Sequence, residues 1–337
     1  MSLVEAVSVW TVRWVDWLDA AGDDTMKKTL WLASATTAAA LAAGHIYAQT
    51  TSWYPSRWGA ADERGAANRI TPAKVLEAKN LITRGTVYQL GRTYESGMPM
   101  FGTRHFSLRI PGAFGPNGSN QMMYHDEIIS GELGQIGTQF DSLSHVGIGD
   151  LFYNGHNRHE FAKAEGMTKL GVEHVGALTT RGVLIDVAAF KGVPMLAGGY
   201  EITAADVQGA LKRQSVAIRS GDIVLLHTGW GSLWMKDNTR FSANAPGIGL
   251  GAAQFLVGQE VVMVGADTWS VEVVPNPDST LAFPVHQLFL PRNGIYIFEN
   301  LVTEDLARDN AYEFGFFWAP LKLKGATGSP GNPLAIR

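Results

Sequence analysis

The 337-residue chain is 46% hydrophobic and 17% charged, with 38 Gly and 14 Pro, which describes a globular, loop-rich protein long enough to bury a large core. Lys and Arg total 27 against 31 Asp and Glu, a net charge of −4 with no long basic run, so nucleic acid and anionic lipid are excluded as expected partners and a small molecule is left. Cysteine is absent, which excludes disulfides, thiolate metal sites and cysteine nucleophiles, and any metal must rest on oxygen and imidazole ligands.

Residues 1–25 lack a basic start and carry Val7, Trp10, Val12 and Trp14 in an ambiguous apolar segment, read as a leader upstream of a true start at Met26. Met26-Lys27-Lys28, the apolar stretch Thr29 to Ala43 and the small residue Ala48 make residues 26–48 a secretory signal pattern. Cleavage is expected near Gln49, with a periplasmic or secreted product and no stable membrane insertion afterwards; a cytoplasmic protein with an unusual helical leader is the alternative. Residues 49–337 show neither a fixed repeat nor a linker, so one domain is expected.

Thr71-Pro72 predicts a helix carrying Val75, Leu76 and Leu81, with Thr as N-cap and Pro in the first position. Thr203 with Asp206 caps a second helical segment running to Gln214. Short apolar runs at Val183–Val187, Ile223–His227, Val261–Val264 and Ile295–Phe298 have the length and boundaries of buried strands, so periodicity gives a mixed α/β class.

The segment with most chemistry is Gln135-Ile136-Gly137-Thr138-Gln139-Phe140-Asp141-Ser142-Leu143-Ser144-His145. In an extended stretch residues two apart share a face, so Gln139 and Asp141 pair, while Asp141 offers a hard oxygen and His145 a titratable base. An Asp and a His four apart also suit a buried polar network, so the segment needs context. Gly249-Leu250-Gly251 lacks the rest of a dinucleotide fingerprint, and His156 and His159 beside Tyr153-Asn154-Gly155 are read as loop residues, with Tyr153 and His156 as candidate substrate contacts. Aromatic residues including Trp53, Trp58, Phe101, Phe106, Phe140, Trp230 and Trp269 are candidates to wall an apolar pocket.

The segment resembles the motif H-x-G-T-H-x-D-x-P-x-H of the cyclase family of metal-dependent hydrolases, which includes bacterial kynurenine formamidase and isatin hydrolase. Gly137, Thr138, Asp141 and His145 match; Gln135 and Gln139 stand at the two leading His positions and Leu143 at the Pro. Further matches follow in order: Trp58 to Glu63, Phe152 to Gly155, Arg181 to Asp186, Gly221 to Leu226, Gly265 to Ser270, His286, Glu299 to Leu301, and Pro320 to Leu323.

The resemblance implies a swivelling β/β/α fold and a single divalent ion, Zn or Mn, on Asp141, His286 and Glu299. His145 is the expected base, and Gln135 and Gln139 are expected to bond substrate, a ligand water or the ion itself, with purely structural polar contacts as the equal alternative. The expected activity is hydrolysis of an amide-type C–N bond in an aryl formamide or a cyclic amide or imide, by an exported homo-oligomer. A lactone hydrolase, a cyclising dehydratase, or a periplasmic binding protein that has lost its metal are the alternatives.

Overall fold

The computed structural model describes residues 53–337. The expected leader and signal peptide, residues 1–25 and 26–48, lie outside the described residues.

The framework is a nine-stranded mixed sheet in the spatial order Val87–Gln89, Leu334–Ile336, Glu313–Trp318, Leu178–Asp186, Ile223–His227, Met263–Ala266, Tyr296–Glu299, Gln139–Asp141, Gly328–Pro330. The four strands from Leu178–Asp186 to Tyr296–Glu299 run parallel, and antiparallel pairs complete both flanks. Every residue of Ile223–His227, Met263–Ala266 and Tyr296–Glu299 is buried, which is why these strands read as continuous apolar runs rather than alternating ones.

Three of the four expected strands match within one or two residues; the first begins earlier, at Leu178, because Thr179 to Gly182 pair with the antiparallel strand Glu313–Trp318. Val187 leaves it to start a short helix that Asp186 caps, its carboxylate accepting the Ala189 N–H at 2.8 Å.

Both expected helices form. Thr71 caps Pro72–Asn80 with Pro in the first turn, and Thr203 with Asp206 makes a reciprocal capping box on Ala204–Gln214. Pro72–Asn80 packs on the strands Leu178–Asp186 and Glu313–Trp318, while Ala204–Gln214, Leu250–Gly258 and Pro284–Asn293 pack in succession.

Two of the motifs serve the scaffold. Arg181 and Asp222, both fully buried, pair at 2.6 Å, and Glu313 at 2.7 Å and Lys74 at 2.6 Å complete the network. A lone charge in that interior would be costly, so this network locks neighbouring strands in register.

One segment departs from the compact body. Phe106–Arg109 pairs with Ile128–Gly131, and Ala113–Asn117 pairs with Met122–His125, forming an arm on which Leu108, Ile110, Phe114, Met123, Tyr124, Ile128 and Ile129 are all exposed.

Candidate metal centre

The strand Gln139–Asp141 lies antiparallel to Tyr296–Glu299, with Glu299 opposite Gln139 and Ile297 opposite Asp141. Strand alternation therefore sends Gln139, Asp141 and Glu299 to one face and Phe140 with Phe298 to the other.

The loop before this strand is fixed by hydrogen bonds. Gly137 has φ +60°, with the Tyr94 ring packed where a Cβ would stand, so only glycine suits it. The Tyr94 hydroxyl lies 2.8 Å and 2.6 Å from the Ile136 and Thr138 carbonyls, and the Asn300 amide donates to the Gly137 carbonyl at 2.6 Å. Thr138 accepts from the Arg92 N–H at 2.7 Å and donates to the Asn300 carbonyl at 2.9 Å. The Gly-Thr of the motif thus joins the loop to the end of the Tyr296–Glu299 strand.

After the strand, the chain turns sharply. The His145 N–H donates to the Ser142 carbonyl at 3.1 Å, Leu143 anchors the turn in the core, and His145 Nε2 returns to 4.0 Å from Asp141 Oδ1.

His286 arrives from the helix Pro284–Asn293. Its Nε2 lies 3.3 Å from Glu299 Oε1 and 3.7 Å from Asp141 Oδ2, while Nδ1 meets Glu272 Oε1 at 2.5 Å. Gln139 Nε2 donates to the other Glu299 oxygen at 2.6 Å. One ligand atom each from Asp141, His286 and Glu299 falls within a mutual 4.8 Å.

These residues fit a divalent cation. All three are buried, and both oxygens of Asp141 are buried without a hydrogen-bond partner. A fully buried, unpaired carboxylate is costly unless a cation or donors meet it. Two carboxylates and an imidazole form a hard oxygen–nitrogen set that leaves coordination positions open.

Electrostatics agree. Burial, with the Asp141 charge adding to it, pushes the Glu299 carboxyl up to about 7, against the opposing pull of His286. For His286, burial works against the imidazolium, but hydrogen bonds to Glu272 and Glu299 outweigh it and raise the group to about 10. Burial holds His145 below its ordinary value although Asp141 pulls it up. The cluster draws in positive charge, and His145 stays neutral beside it.

A cavity of about 220 Å³ opens on the cluster, lined among others by Phe101, Arg104, Gln139, His145, Trp269, Phe283, His286 and Glu299. Phe101 stacks on Trp269 with centroids 4.9 Å apart, and Phe283 stands edge-on to both and to His286. The wall is aromatic and the floor is charged.

Of the expected site residues, Asp141, His145, His286, Glu299 and Gln139 converge here. Gln135 lines a small adjoining recess of about 20 Å³ that also reaches Gln139 and Asn300. Its side-chain oxygen Oε1 is buried without a hydrogen-bond partner.

Phe140 requires a correction: it is fully buried against Tyr296, Phe298 and Trp318, because alternation turns it into the core. Tyr153 and His156 are also displaced. Tyr153 is buried with its hydroxyl donating to Asp62 at 2.7 Å and borders a separate cavity with Trp58 and Arg69, and His156 packs on Phe161. Trp230 is likewise a core residue, whose indole donates to the Phe241 carbonyl.

Sequence reasoning missed Glu272, Arg104 and Phe283. An acidic residue inside Val271-Glu272-Val273-Val274 was the available signal for the first; the other two carry none.

The sequence profile of the family described as "Putative cyclase" matches residues 88–273. A solved structure described as a novel cyclase is 35% identical, with a TM-score of 0.75 over 83% of this chain and 96% of its own. Isatin hydrolase A from Ralstonia solanacearum is 21% identical, with a TM-score of 0.58 over 80% and 98% of the two chains. Isatin hydrolase A from Labrenzia aggregata, bound to benzyl benzoate, is 19% identical, with a TM-score of 0.55 over 74% and 93%. No curated protein matches the chain. The profile covers more than half of the sequence, and the 35% identical structure shares the fold almost end to end, so the chain belongs to the cyclase family, with its swivelling β/β/α architecture.

Proposed function

We propose that the protein is an exported metal-dependent hydrolase that opens an amide-type C–N bond in a small aromatic or cyclic substrate. It holds one divalent cation, Zn or Mn, on Asp141, His286 and Glu299, with His145 as the base. The observation that carries the reading is the Asp141 carboxylate, buried with no hydrogen bond to either oxygen and facing His286 and Glu299. Export rests on the pattern of residues 26–48 alone.

When bound, the cation supplies Lewis acidity, polarising the substrate carbonyl and acidifying water. His145, kept neutral by burial, accepts a proton at Nε2 from the attacking water and returns it to the leaving nitrogen. Phe101, Trp269 and Phe283 bind the ring and exclude water from the reacting carbonyl. The aromatic ligand held by the Labrenzia aggregata isatin hydrolase supports a ring-bearing substrate. Gln139 holds Glu299 by its amide, and Gln135 offers its unpaired carbonyl to a donor on the substrate or to water.

We also read the exposed apolar arm as the element through which copies of the chain assemble. A two-stranded ribbon exposing this much apolar surface gains stability by burial against another surface.

The test is metal content by mass spectrometry after metal-free dialysis and reloading, beside Asp141→Asn and His286→Ala, followed by turnover of aryl formamides, cyclic imides and lactones. One ion per chain, lost in both variants, with hydrolysis of the nitrogen substrates, is the expected result. Lactone-only turnover moves the assignment to the ester class. Absence of metal after reloading moves it to a binding protein.

A further inference from the structure

Glu272 sits outside the three proposed ligands, and its side chain is 1% exposed. Its two carboxylate oxygens make three contacts, all with one short stretch of chain. Oε1 accepts the His286 backbone N–H at 2.9 Å and meets the His286 ring Nδ1 at 2.5 Å, and Oε2 accepts the Val285 N–H at 3.2 Å. One carboxylate therefore caps the first turn of the helix that delivers His286 and also grips that histidine's ring.

The placement of Glu272 is itself rigid. Its backbone bridges to Ile248, Ile248 N–H donates to the Val271 carbonyl at 3.1 Å, Val273 N–H donates to the Ile248 carbonyl at 3.2 Å, and Ser270 Oγ donates to the Glu272 carbonyl at 2.6 Å. The helix begins at Pro284, which has no N–H, so the next two donors are free for the carboxylate.

We propose that Glu272 is a positioning residue that fixes the His286 ring by holding a proton on Nδ1, so that the Nε2 lone pair is presented to a cation between Asp141 and Glu299. The inference rests on the hydrolase reading for its purpose, but the geometry behind it stands without a cation. A carboxylate can only accept at all three contacts. With the ring anchored at Nδ1 and the helix start anchored at two N–H groups, neither rotation of the ring nor movement of the helix can withdraw Nε2 from the cluster. Such outer partners of a ligating imidazole fix its tautomer and raise its basicity.

Glu272→Gln keeps the size but brings an NH₂ that must oppose one of three donors, and Glu272→Asp keeps the charge but draws it back by one methylene. Two readouts apply to apoprotein whose circular dichroism matches the wild type. By calorimetric titration with Zn²⁺ and with Mn²⁺, Glu272→Gln is expected to bind about 10- to 100-fold more weakly. By NMR of the metal-free protein, the wild type should show a downfield, slowly exchanging ring proton that is missing in His286→Asn; in Glu272→Gln it should move upfield or exchange away. Affinity within twofold of the wild type, or an unchanged ring-proton resonance, overturns the proposal. If the wild type takes up no cation, the hydrolase reading fails and the ring proton still decides the role of Glu272. If Glu272→Gln does not fold, the same two readouts on Glu272→Asp decide it.

Discussion

Gln139 donates its side-chain amide to Glu299 Oε2 across 2.6 Å, while the other oxygen of the same carboxylate faces His286 Nε2 at 3.3 Å. The residue at a position where the family motif carries histidine thus does its work through hydrogen bonding, orienting a carboxylate that would otherwise be buried with one lone side. Removing the donor while keeping the bulk, as in Gln139→Met, should destabilise the metal-free protein by about 1.5–3 kcal/mol, the range for a hydrogen bond to a charged group. Urea melts at pH 8, where the Glu299 carboxyl, raised to about 7, is ionised, provide the measurement. An unchanged midpoint would mean that the amide contact contributes nothing.

Asp141 should behave in the opposite sense. Its carboxylate is buried, lacks hydrogen bonds and lies beside another acid, with only the His286 ring at 3.7 Å set against both, so Asp141→Asn removes an incompletely compensated charge. The metal-free variant is expected to be more stable than the wild type by about 1–3 kcal/mol, on the scale of a desolvation penalty relieved, and to lose the rise in Tm that Zn²⁺ or Mn²⁺ gives the wild type. Differential scanning calorimetry with and without the ion separates the two effects. A variant less stable without metal would show that Asp141 is already satisfied.

Cation binding and proton binding compete at this cluster. Glu299 is raised from 4.5 to about 7 and His286 from 6.5 to about 10, so the folded metal-free protein holds protons that the unfolded chain has released. Its stability from Glu299 is present below about 4.5 and falls as pH rises through 7; that from His286 is present below 6.5 and is lost as pH rises through 10. A cation displaces both protons, so affinity must climb with pH. The gap between metal-loaded and metal-free Tm should therefore widen steadily from pH 5 to pH 9, as followed by calorimetry. A constant gap would sink the assignment of these two residues as ligands.

His145 is not needed to hold the ion in this arrangement. His145→Gln should lower kcat by about 10²–10⁴-fold, the usual contribution of a positioned base, and leave metal affinity within a few fold. Steady-state kinetics on a nitrogen-containing substrate, paired with calorimetric titration, makes the comparison. Undiminished turnover would move the proton transfer elsewhere.

The arm offers a test independent of the centre. Leu108, Met123 and Ile128, on the two strand pairs of the arm, are 49%, 51% and 57% exposed, leaving much apolar surface in solvent. On the proposal that copies of the chain assemble through the arm, the wild type should scatter light as an oligomer, and replacing residues 107–129 by a short Gly-Ser turn should give monomers while keeping the far-ultraviolet spectrum of the sheet. A truncated protein with the same number of subunits as the wild type would sink the assembly role of the arm.

Much of this could be read along the chain because it depends on local chemistry. The caps at Thr71 and Thr203 and the buried runs at Ile223–His227 and Tyr296–Glu299 follow from propensity and burial over a few residues. The triad of Asp141, His286 and Glu299 was legible through family resemblance, since residues 145 and 158 positions apart in sequence have no local signal linking them. What the tertiary structure decided was direction and partnership. Pairing of Gln139–Asp141 against Tyr296–Glu299 turned Phe140 into the core and Asp141 toward His286, because a side-chain period of two makes register decide which face each residue takes. Glu272 reaches His286 only after the chain between them has folded back, so its hold on that ring is a property of the fold and not of any sequence window.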